Sequence, residues 1–311
     1  MQKISKTLFC SFLAFIVIII GNYVIVAQST LTGTWKAEAK ADKPEKIYLS
    51  FSRKTEKGYN NNMGSTYDYA DLKGLSREQS LSNGTVKFSL VREAGTIDCE
   101  GSFAGGKGSG TFLFTANQGF VDAMKSRGFD FEKNNSKYND DSKYNDEDNI
   151  SNRLFAATTL NVTTALADDL LSANFGKLDV DDLFKAAIFK VDSKFMREMK
   201  DSGFQGLTFE DLVKARIFKI DGAYLRELAA SGFDNEPFEN VVKMRIFKIT
   251  PEFITGVRNE GFSNITIEQL VKMKIFNINA EFIRQARADG VPMDVEKLVQ
   301  KRIGVYRSRD N

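Results

Sequence analysis

The residues best placed to do chemistry are two rows of lysines. Lys190, Lys219 and Lys248 follow one another at intervals of 29, and so do Lys214, Lys243 and Lys272. Ammonium groups in register form a ridge that an anionic partner, either a protein or a cell-envelope component, could grip through charge-assisted contacts. The same lysines fall at the ends of helical patterns, where a cation complements the helix dipole without binding anything. Lys190, Lys219 and Lys248 belong to a hexapeptide that recurs as "AAIFKV", "ARIFKI" and "MRIFKI", and a fourth copy, "MKIFNI", carries Asn277 in place of the lysine. Packing therefore does not demand a lysine there, and the six positions are the candidate partner-binding residues.

Other chemistries can be struck out. The chain has no histidine, which removes imidazole acid–base catalysis, Ser-His and Cys-His nucleophiles, HExxH zinc sites and His-bound haem. Carboxylate pairs and Ser-Lys dyads survive, but no spacing singles one out, so a chain with no catalytic residue, metal ligand or cofactor is expected. With 43 basic against 41 acidic side chains, no global field draws nucleic acid. "GSFAGGKG" (101–108) matches a phosphate-binding loop up to Lys107, but Gly108 stands where Ser or Thr would ligate magnesium. Lying between two alternating strands, it reads as a hairpin turn.

The N-terminus sets the destination. Lys3 and Lys6 precede the apolar run "LFCSFLAFIVIII", and small Ala27 closes the apolar stretch. Residues 1–27 read as a signal peptide cleaved before Gln28, giving a periplasmic or secreted chain. The alternative is an uncleaved anchor, since apolar character runs nearly the ~20 residues a bilayer requires; only then is the membrane a partner. Cleavage leaves Cys99 as the single thiol, so stability must come from packing instead of disulfides.

A candidate of this kind needs elements to hold it, and the sequence predicts an α+β chain of several domains. In 28–117 the period is two: Ile47, Leu49 and Phe51 share a face, as do Val86, Phe88 and Leu90. "TWKAEA", "TIDCEGSF" and "GTFLFT" alternate likewise, with turn chemistry at Asn83-Gly84 and Gly105-Gly106. Five or six antiparallel strands predict a small barrel or sandwich, with Cys99 turned inward beside Ile97 and Phe103. "GTW" (33–35) resembles the G-x-W that opens lipocalins, although the domain is short for a complete lipocalin barrel. That resemblance implies the alternative function, a carrier of a small apolar ligand; a carboxylate-based hydrolase is a distant third.

From 118 to 311 the period is 29. Phe175, Phe204, Phe233, Phe262 and Val291 form one series, and Leu166, Phe195, Tyr224, Phe253 and Phe282 another. Thr163, Asp192, Asp221, Thr250 and Asn279 have the side chains of helix N-caps, with Pro251 at a first helical position. Apolar pairs such as Val191 with Met196 and Ile220 with Leu225 flank those caps as hydrophobic staples. Gly203, Gly232, Gly261, Gly290 and Asn174 mark the C-terminal ends. Asp179, Thr208, Thr266 and Asp294 begin a second helix in each unit. Helices of ~10 residues must lean on neighbours, which predicts an α-solenoid of 29-residue two-helix repeats. A first repeat is read as split, with "FVDAMKSRGF" (120–129) and "LFAATTLNV" (154–162) on either side of a flexible insertion at 130–149. That insertion holds "SKYND" twice and an acidic "NDEDN" without EF-hand spacing. In "ARIFKI" the first Ile is expected to pack at the end of the second helix. The Phe of this motif is expected to become Gly304 in the last unit.

The succession of "GTW", "GSFAGGKGSGTFLFTANQGF" and "PEFITGVRNEGF" units resembles extracytoplasmic regions that accompany antirepressor-type membrane metallopeptidases of the β-lactam-sensor class. The chain departs from those peptidases in lacking HExxH and a multi-span membrane region. The resemblance implies a bacterial, detached, sensor-like or interaction module, with no catalytic residue to carry over.

Overall fold

The computed structural model describes residues 30–54, 60–133, 146–234 and 236–307. The predicted signal or anchor and both "SKYND" copies lie outside the described residues. By compactness the described chain divides into a unit of 30–118 with 146–155 and a unit of 119–133 with 156–307.

In the first unit the alternating segments become β1 (Thr30–Ala39), β2 (Lys46–Lys54), β3 (Asn60–Asp68), β4 (Leu72–Lys73), β5 (Gly84–Arg92), β6 (Gly95–Ala104) and β7 (Lys107–Ala116). They form one antiparallel sheet in the order β3-β2-β1-β7-β6-β5-β4, curled into a half-barrel. Where the sequence predicts a small barrel or sandwich, the structure has a single antiparallel sheet that curls only into an open half-barrel. Closure would require β3 to pair with β4, and a two-residue strand offers almost nothing to pair with. Sequence reading missed β3 because "NNNMGSTYD" has no apolar alternation, as suits an edge strand whose outer side must not recruit another chain.

The predicted inward faces hold: Ile47, Leu49, Phe51, Val86, Phe88, Leu90, Ile97, Cys99 and Phe103 are all buried. Trp35 is fully buried, and its Nε1 donates to the Glu100 carbonyl at 3.2 Å. A Cβ on Gly101 would come within 2.7 Å of that indole, so the glycine makes room for the ring. Trp35 meets Phe88 edge-on at 5.2 Å and Phe103 at 5.7 Å. Gly105 and Gly106, at φ +56° and +83°, make the two-residue β6–β7 turn, so the loop that mimics a phosphate site is a hairpin. Asn83-Gly84 is not a hairpin turn; it follows the short helix α1 (Arg77–Leu81), and Asn83 Oδ1 accepts from the Gly105 amide at 3.2 Å.

Twelve helices follow the sheet among the described residues. The first two are α2 (Gln118–Ser126) and α3 (Asp146–Leu160). Then come α4 (Thr164–Ser172), α5 (Val180–Phe189), α6 (Ser193–Lys200), α7 (Phe209–Phe218), α8 (Gly222–Ala230), α9 (Phe238–Ile246), α10 (Pro251–Asn259), α11 (Ile267–Ile275), α12 (Ala280–Ala288) and α13 (Val295–Arg302). The starts of α4, α6, α8, α10 and α12 are 29 residues apart, as are those of α5, α7, α9 and α11.

α3 begins in the first unit, and its Phe155 stacks on Phe112 at 5.3 Å with Phe51 and Phe114 edge-on to it. The matching Phe184 instead faces Phe131 at 6.0 Å in the second unit. One sequence position thus serves two different cores, which the alignment of "LFAATTLNV" with "LFKAAIFKV" conceals. Phe131 is buried and also meets Phe120 at 5.4 Å, so of the interval 130–149 the described ends are built into structure.

The caps fall where the side chains predict. Thr163, Asp192, Asp221, Thr250 and Asn279 each accept from the amide three residues on. Asp179, Thr208, Thr266 and Asp294 cap α5, α7, α11 and α13, and Pro237 precedes α9 without a side-chain cap. Asn174, Gly203, Gly232, Gly261 and Gly290 all take positive φ. The staple residues Val191, Met196, Ile220, Leu225, Ile249, Ile254, Ile278 and Ile283 are buried. Odd-numbered helices from α5 to α13 pack each on the next, and α4 packs on α6, α6 on α8 and α10 on α12. Asp169 of α4 accepts from the Ser193 amide at 2.8 Å and hydroxyl at 2.6 Å, and Glu198 of α6 repeats the amide bond with Gly222 at 3.1 Å. Pro251, at the next position in that series, has no amide hydrogen to continue it. No helix among the described residues is long and apolar enough to cross a membrane.

Candidate lysine ridge and its surroundings

The two lysine rows have different structures. Lys190, Lys219 and Lys248 are exposed and adopt the left-handed conformation, with φ of +59°, +56° and +53°. Asn161 and Asn277 hold the same place at the ends of α3 and α11, with φ of +55° and +51°. In each case the next amide closes back on the helix: Val191 to the Ala186 carbonyl at 3.1 Å, Ile220 to Ala215 at 2.8 Å and Ile249 to Met244 at 2.8 Å. Gly304, at φ +77°, does the same through the Val305 amide and the Gln300 carbonyl at 2.9 Å. Gly304 is therefore the counterpart of the lysine and not of the phenylalanine; α13 starts 28 residues after α11 and is a residue shorter, which shifts the alignment. Glycine and asparagine favour this conformation, and lysine does not. Among the described residues Lys190, Lys219 and Lys248 form no ion pair.

Lys214, Lys243 and Lys272 are engaged. Lys214 pairs with Glu239, Lys243 with Glu268 at 4.0 Å and Lys272 with Glu296, each glutamate lying in the first turn of the next odd-numbered helix. Hydrogen bonding to Glu239 holds the Lys214 ammonium above the ordinary lysine value. Lys185, which sequence reading passed over, begins the ladder by pairing with Glu210. The signal that could have found it was the 29-residue spacing of Glu210, Glu239 and Glu268, each in the next odd-numbered helix after that of its lysine. Such exposed pairs contribute about 0–1 kcal/mol each.

Between the rows lies a second feature. Ile188, Ile217, Ile246 and Ile275 are 51%, 49%, 52% and 54% exposed. This corrects the expectation that the isoleucine of "ARIFKI" packs at the helix end. It stands three residues after the laddered lysine and so shares that solvent face, while the following phenylalanine is the half-buried one.

A third row carries aromatic rings and cations. Arg216 lies 3.8 Å over Phe195, Arg245 4.8 Å over Tyr224, Lys274 4.0 Å over Phe253 and Arg302 4.8 Å over Phe282. Arg245 Nη2 also donates to the Lys219 carbonyl at 2.7 Å, and Arg302 Nε to that of Phe276 at 3.1 Å, so two of these cations tie down the preceding helix end. Burial pushes the Tyr224 hydroxyl up to about 12, and it donates to the Ile249 carbonyl at 3.2 Å.

In the sheet unit, burial pushes the Cys99 thiol well above its usual range, which keeps it protonated. A cavity of about 220 Å³ beside the Gly105-Gly106 turn mixes the apolar Ala39, Ala41 and Leu81 with the charged Lys40, Arg77 and Lys107. Among the described residues no three His, Cys, Asp or Glu side chains gather to hold a metal ion. No protein-family model, curated protein or solved structure matches the chain.

Proposed function

We propose that the paired helices form an α-solenoid of 29-residue repeats, and that the chain is an exported, non-catalytic interaction module of the sensor-like kind. Its partner is an anionic component of the cell envelope, bound along the ends of the odd-numbered helices. The even spacing of helix starts, the recurring caps and the lysine–glutamate ladder support the architecture. The observation that carries the function is conformational. Asn161, Asn277 and Gly304 hold the left-handed position with residues suited to it, whereas Lys190, Lys219 and Lys248 hold it at a cost of roughly 1 kcal/mol each. A charge kept at such a cost, exposed and without an ion pair among the described residues beside a row of exposed isoleucines, suits a partner that offers anions next to apolar groups.

Cosedimentation of the exported chain with a purified envelope fraction tests this. Replacing Lys190, Lys219 and Lys248 by Asn is expected to weaken binding on the order of a hundredfold, from about 1 kcal/mol per lysine near an anionic surface. Undiminished binding by that variant would defeat the proposal.

A further inference from the structure

The row of stacked cations is incomplete at its start. Counting back 29 residues from Arg216 and Phe195 gives Ala187 and Leu166, which place neither a cation nor an aromatic ring between α4 and α5. The place is open: a cavity of about 250 Å³ is lined there by Leu160, Asn161, Leu166, Ala187, Lys190 and Asp192. The carbonyls of Leu160 and Asn161 correspond to those of Phe218 and Lys219, which accept from the Arg245 guanidinium at 3.4 and 2.7 Å. No donor among the described residues reaches either of them.

We infer that this cavity is a subsite for an arginine side chain supplied by a protein partner. The body of the side chain would lie on Leu166 and Ala187, as that of Arg245 lies against Tyr224. Its guanidinium would donate to the two open carbonyls at the left-handed end of α3. A planar fork with several N–H groups suits two adjacent carbonyls better than a lysine ammonium does. Lys190 at the rim is no bar, because Lys248 holds the equivalent left-handed place three residues after Arg245. Asp192 adds a carboxylate on the same rim, and it already lies 3.9 Å from Arg216. This inference rests on the cavity and the unused carbonyls, and it stands apart from the reading of the lysine ridge.

The test is methyl NMR on the full chain, titrated with N-acetyl-arginine amide and with its neutral citrulline isostere. The arginine compound is expected to shift the Leu166 and Ala187 methyl signals saturably, and citrulline to leave them in place. Ala187→Arg should fill the cavity from within, abolish the shift of the Leu166 methyls and raise the melting temperature. Leu166→Tyr should bind the arginine compound about two- to five-fold more tightly by adding a ring beneath the cation. Because this variant enlarges a half-buried side chain without emptying a core site, it keeps the test alive if Ala187→Arg folds poorly. Equal shifts from citrulline, the absence of saturable shifts, or a Leu166 methyl shift that persists in Ala187→Arg would each overturn the inference.

Discussion

Lys214 and Lys219 lie five residues apart at one end of α7, and their surroundings could hardly differ more. Lys214 is held by Glu239 of the next helix and belongs to a ladder that Lys185, Lys243 and Lys272 continue. Lys219 sits in a backbone conformation that asparagine or glycine would fill more easily, and its ammonium has no partner among the described residues. The first row is explained by what it does within the fold. The second is not, and a side chain that local conformation argues against is the better candidate for a function outside the fold.

Several changes would break or sharpen that contrast. The largest effect belongs to the joint between helices: Ile220→Ala, at a staple only 1% exposed, should lower unfolding free energy by about 2–4 kcal/mol. Ile217→Ala, at 49% exposed, should stay within about 0.5 kcal/mol in the same denaturant titration while weakening partner binding. Next in size is Asp169, whose carboxyl is held below the usual aspartate value by hydrogen bonds from the Ser193 hydroxyl and amide. Asp169→Ala should cost about 1–2 kcal/mol. Because the folded value is depressed, the Asp169 contribution is complete above the unfolded value of about 3.9 and is lost as pH falls through the lowered one. Acid titration of the denaturation midpoint should therefore fall less steeply in the variant than in the wild type.

Smaller effects discriminate between the rows themselves. Lys219→Gly should stabilise the chain by about 0.5–1 kcal/mol by relieving the left-handed backbone, a sign opposite to that of most substitutions. Glu239→Gln should cost no more than about 0.5 kcal/mol, and the difference should vanish at high salt. If Lys219→Gly proved destabilising, the ammonium would have a structural task and the contrast would collapse.

The same contrast shows how much could be read from the sequence. Caps, staples and left-handed glycines were legible because each is a local rule acting within four or five residues of chain. Asp192, Thr250 and Gly232 stand where such rules place them. The inner face of the sheet was legible for the same reason. What escaped were relations across the chain. β3 has no alternation of its own and exists because β2 offers it an edge. The lysine–glutamate ladder joins residues about 25 positions apart, and the gap at Leu166 and Ala187 is visible only against copies in which Arg245 meets Tyr224. The position of Gly304 was misread because its helix is one residue shorter than α11, a change that only the closing hydrogen bonds reveal.

Affinity for the envelope fraction, measured in parallel on two triple variants across a salt series, tests the central claim most directly. One variant replaces Lys190, Lys219 and Lys248 by Asn, and the other replaces Lys214, Lys243 and Lys272 by Gln; both remove three positive charges. The account predicts that the first loses on the order of a hundredfold in affinity and most of its salt dependence, while the second binds within a few-fold of the wild type. Equal losses in the two variants would mean that only net charge matters and would contradict it.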